Sequence, residues 1–97
     1  MRKDVLARRY LVSGRVQGVG FRNYVEHIAE KLGVGGYVRN RRDGSVEVYA
    51  MGSAEQLNKL GSALERGPML SQVSDVREEP DCPDEKYRNN FIIELTI

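Results

Sequence analysis

The sequence has one cysteine, Cys82, and one histidine, His27. A lone cysteine cannot close an internal disulfide, so a reducing cytoplasm is the expected compartment. No His/Cys/carboxylate cluster falls at ligand spacing, so neither a metal site nor any other cofactor is expected. No apolar run approaches the ~20 residues of a membrane span. The first residues, Met-Arg-Lys-Asp-Val-Leu-Ala-Arg-Arg, are broken by charge and lack the apolar centre of a signal peptide. Repeats, linkers and low-complexity stretches are also missing.

What is present suits a small soluble globular protein. The 97 residues are 40% hydrophobic and 30% charged, which predicts a single domain over residues 1–97. The net charge of +1 hides an asymmetry: residues 1–42 hold ten Lys/Arg against three Asp/Glu, and residues 43–97 hold five against eleven. A basic first half can indicate an anionic ligand, or the halves can neutralise one another once folded.

The densest stretch is Val12-Ser13-Gly14-Arg15-Val16-Gln17-Gly18-Val19-Gly20-Phe21-Arg22. Three glycines in seven residues allow backbone N–H groups to face inward. A helix start adds unpaired N–H donors and the positive end of the helix dipole. Arg22 adds a planar, permanently charged fork suited to a phosphoryl group. The pattern reads as an oxyanion cradle, most readily for phosphate. The plainer alternative is a tight strand-to-helix turn with a surface arginine that pairs with Glu26.

The flanking pattern gives the fold. Residues 7–13 read as a strand with Tyr10 and Val12 on one face. Phe21, Val25, Ile28, Ala29 and Leu32 form the stripe of an amphipathic helix over residues 21–32, with Asn23, Glu26, His27, Glu30 and Lys31 on its wet face and Gly33 beyond its end. Residues 37–41 and 45–51 read as a hairpin around Asp43-Gly44, with Val46, Val48 and Ala50 inward and Glu47, Tyr49 and Met51 outward. Ser53 and Gln56 match a capping box for a second helix to about Arg66, in which Gly61 would allow close approach to the sheet, and Gly67-Pro68 stops it. Residues 73–79 form an imperfect strand, residues 80–88 a polar loop, and residues 91–97 a tail with Phe91, Ile93, Leu95 and Ile97 on one face. The order is β-α-β-β-α-β. Two right-handed crossovers around a hairpin predict an α+β, ferredoxin-like sandwich: an antiparallel sheet, strands one and three central, with both helices packed on one face. That fold hosts many functions and does not choose among them.

A second string does. Gly36-Tyr37-Val38-Arg39-Asn40 is followed by Gly44-Ser45-Val46 and then Gly52. The two strings together resemble the two signatures of the acylphosphatase family, with Tyr37 where Trp is frequent and Gly20 where a larger residue is common. The resemblance implies hydrolysis of a small-molecule acyl phosphate to a carboxylate and inorganic phosphate, without metal or cofactor. It implies that Arg22 holds the phosphoryl oxygens and Asn40 positions the attacking water. It also implies that backbone amides of Arg15, Val16, Gln17, Gly18, Val19 and Gly20 contact the same phosphoryl group. The chemistry is consistent. Phosphoryl transfer through a loose transition state needs positioning and charge more than covalent help. An ester leaves as an alkoxide and wants a general acid. An acyl phosphate leaves as a carboxylate whose conjugate acid has a pKa around 4, and it needs none. Neither string offers His, Cys, Asp or Glu at residues 12–22 or 36–42.

Three other features carry less. Cys82 and Arg88 have the Cys-x5-Arg spacing of cysteine phosphatases, but the residues between hold no glycine and two carboxylates, Asp84 and Glu85, which would repel phosphate and disfavour the thiolate. His27 reads as a solvated helix residue. The Gly-Lys-Ser/Thr ending of a nucleotide P-loop is absent. The alternatives to the enzyme are a phosphate- or anion-sensing module without turnover, and an RNA-binding module of the same sandwich. Arg39, Arg41 and Arg42 could touch an RNA backbone, but only Tyr49 is available to stack a base. Nucleic acid and membrane are therefore not expected as partners, and a monomer is the expected state.

Overall fold

The computed structural model describes residues 5–97, so the charge-broken start, Met1 to Asp4, lies outside the described residues. The elements in order are β1 (Leu6–Arg15), α1 (Phe21–Leu32), β2 (Gly35–Asn40), β3 (Val46–Gly52), α2 (Ala54–Arg66), β4 (Gln72–Asp81), a single 3₁₀ turn (Glu85–Tyr87) and β5 (Phe91–Ile93). The sheet runs β4-β1-β3-β2-β5. β1 and β3 are interior, as the two crossovers require, and β3 lies in the middle. The ferredoxin-like α+β sandwich is therefore present, with one addition. The β4-β1-β3-β2 ladders are all antiparallel, whereas β5 joins the far edge parallel to β2, making the five-stranded sheet mixed.

Both helices cover one face. Phe21, Val25 and Ala29 of α1 and Leu57, Leu60 and Leu64 of α2 meet Tyr10, Val12, Val38, Val46, Val48 and Ala50 of the sheet in one buried cluster. Each fully buried Leu or Phe there stabilises the fold by roughly 1.5–3 kcal/mol. The buried Tyr10 hydroxyl donates to the Leu57 carbonyl at 2.7 Å, so the strand and the helix are joined without an orphaned polar atom. Burial pushes its pKa up to about 12. The Ser53–Gln56 capping box forms as the spacing predicts. Gly61, by contrast, is not demanded by close approach: a Cβ there would meet Tyr10 at 3.5 Å, an ordinary contact.

The other face differs from its sequence pattern. The alternation along β3 is as expected, but Glu47, Tyr49 and Met51 are buried as deeply as their inward neighbours. After β4 the chain must return from one edge of the sheet to the other. The residues that make this crossing carry Tyr87, which packs with Tyr37, Tyr49, Met51 and Ala7 in a second cluster. Tyr37 and Tyr49 stack at 5.4 Å between centroids. The polar stretch thus places one aromatic over a face that hydropathy alone assigns to water.

The end of the chain also differs. Only Phe91 of the alternating tail is buried, and Leu95 is 85% exposed. The tail instead follows β2 by backbone bonds, Glu94 N–H to the Val38 carbonyl at 2.9 Å and Ile97 N–H to the Asn40 carbonyl at 3.2 Å. No helix among the described residues is long and apolar enough to cross a membrane.

Candidate active site

β1 is irregular between Ser13 and Gly14 and ends at Arg15. The connection to α1 turns through Gly18 at φ 74° and Gly20 at φ 78°, a region that residues with a Cβ enter only at a cost of roughly 1–3 kcal/mol. Gly20 is the N-cap of α1 and brings no side-chain cap, and the first turn holds no acidic residue. The first intrahelical bond runs from Tyr24 N–H to the Gly20 carbonyl at 3.1 Å. Among the described residues, no backbone N–H from Val16 to Asn23 donates to a carbonyl or a side chain of the chain. α2 is the contrast: the Ser53 hydroxyl accepts from Gln56 N–H, the Gln56 side chain accepts from Ser53 N–H, and Glu55 puts a negative charge in the first turn. Phe21, 2% exposed, anchors the open end of α1 in the core, so its donors are held in place.

A cleft of about 340 Å³ opens at this end of α1. Val16, Gly18 and Gly20 of the loop and Phe21, Arg22 and Asn23 of the first helical turn line it. Asn40, the last residue of β2, and Ile93, the last of β5, complete it. Phe21 points inward, and the helical rotation of about 100° per residue turns Arg22 outward into the cleft. No described carboxylate lies within ion-pair distance of Arg22, and the pairing with Glu26 is not made. The arginine and the asparagine of the two strings therefore border one cavity.

The remaining residues of the loop are placed differently. Arg15 ends β1 opposite Gln72 and is exposed. Val19 packs against the core. The Gln17 side chain crosses to the β2–β3 turn, where its Nε2 donates to the carbonyls of Arg41 at 2.8 Å and Ser45 at 2.9 Å.

Asn23 and Ile93 line the cleft without having stood out in the sequence. Asn23 reads there as part of the wet face, and its place directly after Arg22 is the only signal. Ile93 reads only as one member of the apolar face of the alternating tail. It is 37% exposed, and its position depends on the parallel pairing of β5, which no local pattern announces.

The rival features separate cleanly from this cleft. Cys82 is exposed and borders a different hollow with Asp81, Asp84 and Glu85. Arg88 binds Glu85 at 2.9 Å instead of facing the thiol. His27 is exposed on α1. No group of three His, Cys, Asp or Glu among the described residues could hold a metal ion. Arg39 and Arg41 are engaged with the buried Glu47 at 3.1 and 2.8 Å. Tyr49, the aromatic that an RNA base would need, is covered by Tyr37 and Tyr87.

Comparison with known proteins agrees with the geometry. The family model described as Acylphosphatase matches residues 8–93. A curated acylphosphatase of Koribacter versatilis is 52% identical over 89 residues, which span 92% of this chain and 80% of that one. The crystal structure of acylphosphatase from Bacillus subtilis superposes with a TM-score of 0.86 at 38% identity, covering 92% of this chain and 98% of that one. An acylphosphatase structure from Coxiella burnetii gives 0.88 at 33% identity, with 94% of each chain covered. With both motif strings bordering one cleft, the family model matching across residues 8–93, and identity above half to a curated relative, the chain belongs to the acylphosphatase family.

Proposed function

We propose that this cleft hydrolyses acyl phosphates to a carboxylate and inorganic phosphate, with Arg22 and Asn40 in the catalytic roles. The observation that carries the reading is that Arg22, Asn40 and the unpartnered N–H groups of the loop border the same cavity. The loop amides, Arg15 to Gly20, and the open first turn of α1 receive the phosphoryl oxygens. Arg22 neutralises the charge that spreads over them in the transition state. Asn40 accepts one hydrogen bond from water and donates another, which aims the water at phosphorus opposite the acyl oxygen. The P–O bond to the acyl group breaks as the bond to water forms, and the carboxylate leaves without a proton. Among the described residues, no His, Cys, Asp or Glu lines the cleft. The water's proton therefore passes to a phosphoryl oxygen. Ile93 offers the acyl group its one half-exposed apolar wall.

The same reading makes the chain a cytoplasmic monomer whose partners are the acyl phosphate and inorganic phosphate, with no nucleic acid. The lone exposed thiol and the engagement of Arg39 and Arg41 by Glu47 support it.

The test is hydrolysis of benzoyl phosphate in the presence of a chelator, with p-nitrophenyl phosphate run beside it. Fast turnover of the first and not the second is expected. Phosphate binding without turnover of either would favour a sensing module. Chelator-resistant turnover of the ester would direct attention back to Cys82.

A further inference from the structure

We propose that the Gln17 side chain is a positioning residue that sets the place of Asn40 relative to the phosphate loop. This rests on the reading of Asn40 as the group that orients water. Gln17 sits between Val16 and Gly18, which both line the cleft, yet its side chain leaves the loop and bonds to the β2–β3 turn directly after Asn40. Its Nε2 has two hydrogens, and the two carbonyls of Arg41 and Ser45, at 2.8 and 2.9 Å, use both. The nitrogen therefore has no donor left for a phosphate. The amide orientation is also fixed, because the flipped form would aim Oε1 at two carbonyl oxygens.

The two acceptors lie where the hairpin closes. Arg41 N–H donates to the Ser45 carbonyl at 2.9 Å, and Gly44 N–H donates to the Arg41 carbonyl at 3.1 Å. Arg41 directly follows Asn40, so the peptide that carries its carbonyl is one residue from the Asn40 Cα. One amide thus connects the loop that receives phosphate to the strand end that holds the water. Phosphate binding depends on the loop and Arg22 alone. Water positioning depends on the separation of the loop and the strand end, and a displacement of about 1 Å there can cost 10²-fold in rate.

The test compares Gln17→Met, which keeps length and packing but has no donor, with the unaltered chain in wild-type and Asn40→Ala backgrounds. The readouts are kcat on benzoyl phosphate and the inhibition constant of inorganic phosphate. In the wild-type background Gln17→Met lowers kcat by roughly 10- to 100-fold and leaves the phosphate constant within about threefold. In the Asn40→Ala background the same change has an effect of less than about twofold, because the residue acts through Asn40. Gln17→Glu keeps the question decidable if the Met variant folds poorly. Its carboxylate repels the two carbonyls at neutral pH. Its kcat relative to wild type rises as pH falls through the carboxyl pKa, since the protonated form donates one bond. Weakened phosphate binding in step with kcat, equal losses in both backgrounds, or unchanged kcat would each overturn the proposal. A fully active Asn40→Ala single variant would instead refute the role of Asn40 itself.

Discussion

Glu47 holds the Arg41 side chain, Oε1 accepting from Nη1 at 2.8 Å, while the Arg41 carbonyl accepts from the Gln17 amide at 2.8 Å. The residue next to Asn40 is therefore held at both its side chain and its carbonyl. The carboxylate is 1% exposed and also accepts from the Tyr37 hydroxyl and from Arg39.

The Glu47 network has a pH signature. Burial pushes the Glu47 carboxyl up, but the Tyr37 hydroxyl, Arg41 and Arg39 outweigh burial, and its pKa lies below the usual range. A folded pKa below the unfolded value of about 4.3 gives stability that is fully present above that pH and is lost as pH falls through the folded value. Glu47→Gln leaves two arginines without their buried counter-charge and lowers the unfolding free energy at pH 7 by about 3 kcal/mol. In urea titrations the gap between variant and wild type should narrow as pH falls from 5 towards 2. A gap that stays constant over that interval would contradict the assignment.

Arg22→Ala should weaken inhibition by inorganic phosphate and lower kcat/KM by about 10³-fold. Arg22→Lys should recover little, because an ammonium lacks the two-pronged geometry of the guanidinium. Steady-state kinetics on benzoyl phosphate decide this, and near-normal kcat/KM in the alanine variant would remove Arg22 from the site.

Asn40→Ala should separate binding from turnover. The kcat falls by roughly 10² or more while inorganic phosphate still binds. Loss of phosphate binding in that variant would assign Asn40 to holding the anion instead of the water.

Ile93→Ser should alter the choice of acyl group more than the rate on a small one. The ratio of kcat/KM for benzoyl phosphate to that for acetyl phosphate is expected to fall about 5- to 20-fold, in line with losing one apolar contact. An unchanged ratio would mean that the acyl group leaves the cleft in another direction.

Much of the fold was legible because local signals agreed. The stripe from Phe21 to Leu32 and the glycine after it bound α1 at the residues observed. The Ser53–Gln56 pair starts α2 as expected, and Gly67 follows it. The cleft was legible because its two main side chains sit in short strings whose glycines have backbone reasons to be there. What remained hidden depends on distant contacts. Glu47 reads as solvent-facing because charge in an alternating strand normally is; its burial needs Tyr37, Arg39 and Arg41 on the same face and Tyr87 from across the chain. The hint was Arg39 in β2 and Arg41 just beyond its end, near the lone acid of β3, with Arg39 directly opposite Glu47. The position of Ile93 depends on a three-residue parallel strand, too short for any period to mark. The Gln17 side chain was hidden because its partners are backbone carbonyls, which have no residue identity to recognise.

The N-terminus of α1 is left incomplete where that of α2 completes itself with a serine and a glutamine. In the proposed reading of the cleft, an anion bound there supplies the cap that α1 lacks. Occupancy and stability become one thermodynamic quantity: an anion at a hundred times its dissociation constant adds about 2.7 kcal/mol to the native state. Folding then measures the ligand concentration, so the melting temperature becomes a gauge of phosphate that needs no turnover to read.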